Sequence, residues 1–149
     1  CDPERIEGYR GRVSGPLLDR IDLHVEVSRV AAAELEGAPS AESSATVAAR
    51  VLAARERQID RQCKVNARLD GAEIAARCNA DPSALAILGR AMQQLALSAR
   101  AYHRVLRVAR TIADLAGQPA VQAGHIAEAI TLRSLDRRAN RGPESAIST

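Results

Sequence analysis

From Ile21 to Ser28 the side chains alternate without a break. Ile21, Leu23, Val25 and Val27 fall on one side, and Asp22, His24, Glu26 and Ser28 on the other. A period of two puts one row on a core and the other in solvent, so the segment reads as a half-buried strand. It is the one convincing strand in the sequence. A lone strand leaves its backbone N–H and C=O groups without partners, so it calls for a sheet that these residues do not supply.

Downstream the spacing becomes helical. A helix is predicted from Ser44 to Arg61, with Val47, Val51, Leu52 and Ala54 on its apolar side. A short one follows over Asp70–Arg77. Asp81 and Pro82 then open a helix to about Leu95, since proline suits the first helical position. Ser98 caps a long helix to about Ala116, which Gly117 and Pro119 end. A last helix is predicted from Gln122 to Leu135. Before the strand, Asp2 and Pro3 start a short polar helix over 3–10 that Gly11 breaks, and Ser14 caps another through Pro16 to Arg20. Residues 31–43, AAAELEGAPSAES, read as a linker.

The expected organisation is therefore four pieces. Residues 1–30 look like the end of an α/β domain whose sheet is missing. Residues 31–43 link it to a helical bundle over 44–135, and the tail 136–149 lacks apolar periodicity and is expected to be disordered. Residues 1–42 are expected to be poorly ordered without their parent sheet. The opening at Cys1 reads as excised from a longer chain. The fold class is mainly α: a helical bundle preceded by an orphan helix–strand remnant.

Composition sharpens this picture. The 149 residues include two tyrosines, Tyr9 and Tyr102, and no Phe or Trp. The core must be built from Ala, Leu, Val and Ile, and an alanine-rich mixture with Leu and Arg favours helices. The net charge of +3 permits an anionic partner without requiring one. Cys1, Cys63 and Cys78 are scattered and odd in number, which fits reduced thiols in a cytoplasmic protein. They do not join His24, His103 and His125 at metal-ligand spacing, so no metal site is expected. No run of 18 apolar residues marks a membrane span.

The sequence holds one lysine, Lys64, and no glycine-rich run leads into it. A phosphate-cradling G-x-x-x-x-G-K-[ST] loop is therefore excluded from these residues. Arginines are nevertheless placed where phosphate could be read. Arg20, in LLDRID, lies at a helix-to-strand junction, on a rim that a neighbouring subunit could approach. Its guanidinium is a planar, permanent cation matched to phosphate oxygens. The plain alternative is a salt bridge from Arg20 to Asp19, Asp22 or Glu26. On the Ser98 helix, Ala101, Val105, Val108, Ile112 and Leu115 form a buried stripe. Arg100, Arg104 and Arg107 repeat that spacing one residue out of phase, and His103 and Arg110 widen the strip. Arg100 lies in the first turn, where the helix dipole attracts anions. For Arg104, Arg107 and Arg110 the plain reading is a solvated basic face paired with nearby acids. Tyr102 and His103 read as packing residues. No Ser/His/Asp set is visible, and Glu34 and Glu36 fall in the linker, a poor place for acid–base work.

The runs YRGRVSGPLLDRIDLHVEV, ESSATVAARVLAARERQ and SARAYHRVLRVARTIADL resemble the magnesium-chelatase-like AAA+ ATPases of the competence protein ComM (YifB) group, over most of residues 1–135. The resemblance implies that this is the C-terminal part, without the upstream Walker A, Walker B and sensor-1 elements. It implies that Arg20 is the arginine finger, acting on ATP bound by the adjacent subunit. Arg100 matches the sensor-2 arginine of the helical lid, in cis or in trans. Residues 21–28 match the last strand of the ATPase core, and residues 44–135 the lid. The family's cofactors are ATP and Mg²⁺, bound by the full-length parent; the isolated piece is expected to bind neither well and to have no ATP turnover. Its implied partners are the upstream core of the same chain, identical subunits in a ring (a hexamer), and DNA, in a helicase that promotes branch migration during natural transformation. Family cysteines precede LLDRID, and Cys1 matches the last of them. Two other readings stand beside this one: a stand-alone helical nucleic-acid-binding module using Arg104 and Arg107, which lacks aromatics for base stacking, and a helical domain for oligomer assembly.

Overall fold

The computed structural model describes residues 17, 20–25, 27 and 42–133. The expected helix over 3–10, most of the one ending at Arg20, the linker to residue 41 and the tail from 136 lie outside the described residues. Helix α1 spans Ser44–Gln62 and starts where expected, because Ser43 Oγ accepts the Thr46 N–H at 3.2 Å. Cys63 ends it in the left-handed region at φ 58°, its N–H closing onto the Ile59 carbonyl at 2.7 Å.

A 3-10 turn over Asn66–Arg68 leads to helix α2, Gly71–Arg77. Asp70 and Glu73 cap it reciprocally: Asp70 Oδ1 accepts the Glu73 N–H at 2.8 Å, and Glu73 Oε2 accepts the Asp70 N–H at 2.9 Å. Helix α3 is Pro82–Gln94, with proline at its first position. Asp81 precedes it without a side-chain capping bond; its backbone N–H instead meets the Val121 carbonyl at 2.9 Å. Helix α4 is Ala99–Leu115, capped by Ser98 Oγ on the Ala101 N–H at 3.1 Å. Helix α5 is Ala123–Thr131, shorter than the sequence spacing predicts. A single parallel bridge, Ala80 to Val121, ties the α2–α3 connection to the α4–α5 connection.

The mainly helical architecture expected from the sequence is what the described residues show. Helix α4 is its axis: α1, α2 and α5 all pack on it, and α5 also packs on α3. The core is aliphatic, with Leu69, Ile74, Leu88, Val105, Leu106, Val121 and Ile126 all buried. Each such side chain contributes about 1.5–3 kcal/mol by leaving water. Ala101, Ala109 and Ala113 let neighbouring helices approach α4 closely.

Two sequence expectations are overturned in how the faces point. Residues 21–25 and 27 form no strand, and their alternation is inverted. His24, on the polar side, is 7% exposed, whereas Val25 is 68% and Val27 89% exposed. The bundle grips this segment through hydrogen bonds to its polar side and backbone, so the apolar row is left outside. In α1, Val47, Val51 and Leu52 are also exposed, and the buried face carries Ala54, Gln58 and Gln62. Gln58 Oε1 accepts the Asn66 N–H at 2.9 Å, and Gln62 Nε2 donates to Asn66 Oδ1 at 2.8 Å and to the Lys64 carbonyl at 3.0 Å, so the turn after α1 selects amide side chains over aliphatic ones.

Candidate functional site

The turn at Arg20 is local: its N–H donates to the Leu17 carbonyl at 2.9 Å. The residue is exposed. Arg104 Nη1 donates to the Arg20 carbonyl at 2.6 Å and also pairs with the Asp22 carboxylate. Arg107 Nη1 lies 3.8 Å from the same carboxylate, and its Nη2 donates to the Leu69 carbonyl at 2.7 Å. From the chain beyond α5, Arg133 donates to the Ile21 carbonyl at 2.9 Å, and the His24 N–H donates to the Leu132 carbonyl at 2.7 Å. Of the acids expected to pair with Arg20, Asp22 is held by Arg104 instead, and Asp19 and Glu26 lie outside the described residues.

Arg100 stands in the first turn of α4 and is exposed, one turn before Arg104. Arg20 and Arg100 are thus exposed residues, while Arg104 and Arg107 are partly buried against the chain itself. An anion near Arg100 would also meet the positive end of α4.

The expected basic strip breaks down at Arg110, which is fully buried. Its Nη1 donates to the carbonyls of Cys78 at 3.2 Å and Pro119 at 2.9 Å, and its Nη2 donates to the Gln118 carbonyl at 2.6 Å. The guanidinium also lies 2.9 Å from Asp114. A stripe read from periodicity assumes one buried face, but α4 is enclosed on several sides, so its arginine row enters the interior. Arg61 closes the cluster with two bonds to Asp114, at 2.7 and 2.9 Å, and Asn66 Nδ2 donates to the same carboxylate at 2.8 Å. Burial alone would raise the Asp114 carboxyl, but hydrogen bonds from Arg61 and Asn66 and the Arg110 charge outweigh it and hold the group below the usual carboxylate range.

Among the described residues, no group of three His, Cys, Asp or Glu side chains is placed to hold a metal ion. No helix among them is long and apolar enough to cross a membrane. The arrangement supplies cationic donors suited to phosphate oxygens.

Residues 41–133 match the family described as magnesium chelatase, subunit ChlI C-terminal, and residues 1–35 match magnesium chelatase, subunit ChlI. The chain belongs to the magnesium-chelatase-like family. It is 42% identical over 136 residues to competence protein ComM of Haemophilus influenzae, an alignment covering 91% of this chain and 27% of that protein. It is 44% identical over 138 residues to the protein YifB of Salmonella typhimurium, covering 92% of this chain and 27% of the relative. A Mycobacterium tuberculosis protein, Rv2897c, is 35% identical over 142 residues, covering 93% and 28%. The chain thus spans about a quarter of the length of these relatives, and the resemblance to the ComM and YifB group seen in the sequence motifs stands.

Sequence reasoning missed Arg61, Asp114 and Arg133, and it gave Asp22 to Arg20 where the structure pairs it with Arg104. Asp114 carried a signal, since it lies one turn beyond Arg110 on the same helix. Asp22 sat in plain view on the polar side of the alternation. Arg61 and Arg133 gave none, because their partners are distant in sequence.

Proposed function

We propose that this chain is the lid and arginine-finger portion of a magnesium-chelatase-like ATPase that works as a ring motor. Residues 1–30 end its ATPase core, and residues 44–135 form its lid. The observation that carries the reading is the exposure of both Arg20 and Arg100, the one on a turn and the other in the first turn of α4. ATP bound by the core supplies the phosphoryl group whose transfer drives the motor. Arg100 senses phosphate charge from the lid, and Arg20 presents a guanidinium to the nucleotide of the adjacent subunit. A cation delivered that way stabilises the charge developing on the transferred phosphoryl, worth about 10³–10⁵-fold in rate. Mg²⁺ is held by the core and not by these residues.

One relative is a competence protein, which fits DNA as the motor's track, and branch migration of recombining strands during transformation is the activity proposed for it here. The motor acts in the cytoplasm, where ATP is supplied. The alternative of a nucleic-acid-binding helix is disfavoured by geometry, because the Arg104 and Arg107 donors it needs already contact Asp22, Arg20 and Leu69. The test is ATP turnover by the full-length protein with Arg100→Ala. Turnover should fall by about 10-fold or more, as expected for loss of a contact made in the transition state. Wild-type turnover would refute the sensing role.

A further inference from the structure

Arg20 and Arg100 lie on separate segments, and one side chain joins those segments. Arg104 Nη1 binds the Arg20 carbonyl and the Asp22 carboxylate together, and Arg104 sits one turn beyond Arg100. Arg107, in the next turn, brings a second cation toward Asp22 at 3.8 Å. Both guanidiniums are mostly shielded, with side-chain exposures of 16% and 19%, so their attraction to the carboxylate is less screened than at an open surface. On the other flank, Arg133 holds the Ile21 carbonyl and Leu132 receives the His24 N–H. Residues 20–24 are therefore fixed to the bundle by a carboxylate and by three backbone groups, the Arg20 and Ile21 carbonyls and the His24 N–H, without any strand pairing among the described residues. Removing the carboxylate would leave the Arg104 and Arg107 cations facing each other without their shared counter-charge.

We propose that Asp22 and Arg104 are positioning residues that couple the finger to the sensor: through them, a movement of α4 sensed at Arg100 carries Arg20 with it. This rests on the nucleotide role proposed above and adds the joint that makes the two arginines one device. Neither residue needs to touch nucleotide. A tilt of α4 displaces the Arg20 carbonyl directly, because Arg104 is bonded to it, and Arg20 is thereby advanced or withdrawn at the subunit boundary.

The test uses the full-length ATPase subunit that carries this segment, with Asp22→Ala, Arg104→Ala, the double variant and Arg20→Ala. Two quantities are read: amide exchange at His24, and kcat against KM for ATP. In Asp22→Ala and Arg104→Ala, exchange at His24 should quicken by about 10-fold or more while the amides of α4 keep their protection. The kcat should fall by about 10-fold with KM for ATP held within about twofold. The double variant should be no worse than the poorer single one, as residues acting through one contact are not additive. If Arg104→Ala fails to fold, Asp22→Ala decides alone. Unchanged exchange at His24, wild-type kcat, or a loss confined to KM would overturn the proposal. Wild-type turnover in Arg20→Ala, with His24 exchange still responding to Asp22→Ala, would overturn the finger reading and the coupling with it while leaving the contact itself real.

Discussion

Arg110 and Asp114 face each other 2.9 Å apart, one turn apart on α4, each side chain only 1% exposed. The pair lies where α1, α2 and the α4–α5 connection converge. Arg110 binds three backbone carbonyls there, and Arg61 and Asn66 complete the carboxylate's shell. Such a cluster gives register to a core that otherwise consists of interchangeable aliphatic residues. Asp114→Ala leaves a buried guanidinium uncompensated and should cost about 3–5 kcal/mol. Chemical denaturation measures it.

The same carboxylate sets an acid limit. Its folded value lies below the ordinary one, so its contribution is fully present above the unfolded value of about 3.9 and is lost as pH falls through the lower, folded value. Unfolding free energy should decline as pH drops from about 5 toward 2. The Asp114→Asn variant should be less stable at neutral pH and show a shallower decline. Part of the slope should persist through Glu73, whose carboxyl is also held low, chiefly by its hydrogen bond to Lys64.

Cysteine reactivity should divide sharply. Burial pushes the Cys78 thiol up to about 11, and the nearby Arg110 and Arg61 charges do not offset it. Cys63 is exposed. Alkylation with iodoacetamide at pH 8, read by peptide mass spectrometry, should label Cys63 and spare Cys78 until denaturant is added. Native labelling of Cys78 would show that its surroundings open.

Helix ends give a paired prediction. After α4, Gly117 at φ 70° passes its N–H to Asp114 at 3.1 Å and Gln118 passes its own to Ala113 at 2.8 Å. After α3, Ala96 takes the equivalent position at φ 47°, and the Leu97 N–H closes onto Met92 at 3.1 Å. Gly117→Ala should cost about 1 kcal/mol from backbone strain, since the added Cβ would meet Arg57 only at an ordinary 3.6 Å. Ala96→Gly should stabilise by about 0.5–1 kcal/mol. Thermal melts of both variants should move in opposite directions.

The legible and illegible parts of the sequence follow from what each signal measures. The start of α4 was readable because Ser98 acts within three residues of itself, whereas α1 and α2 were placed by spacing and their caps, Ser43 and Asp70, came from the structure. The central helix was readable from its strong periodicity. Its environment was not, because periodicity cannot count neighbours: Arg110 joined a basic strip on paper and lies in the core. The inversion at Ile21–Val27 was illegible for a related reason. Alternation tells which residues share a side, and only the partner decides which side is covered; here Arg104, Arg107 and Arg133 chose the polar one. Exposure at Arg20 and Arg100 followed from their places at a junction and in a first turn.

The central claim is that Arg20 acts on a neighbour's nucleotide, and subunit mixing tests it most directly. Full-length subunits carrying Arg20→Ala are combined with subunits whose own nucleotide site is disabled, and ATP turnover is measured for each alone and for the mixture. Each alone should be nearly inactive, and the mixture should regain turnover at boundaries where an intact site meets an intact Arg20. A mixture as inactive as its components, or full turnover by the Arg20→Ala subunits alone, would contradict the account.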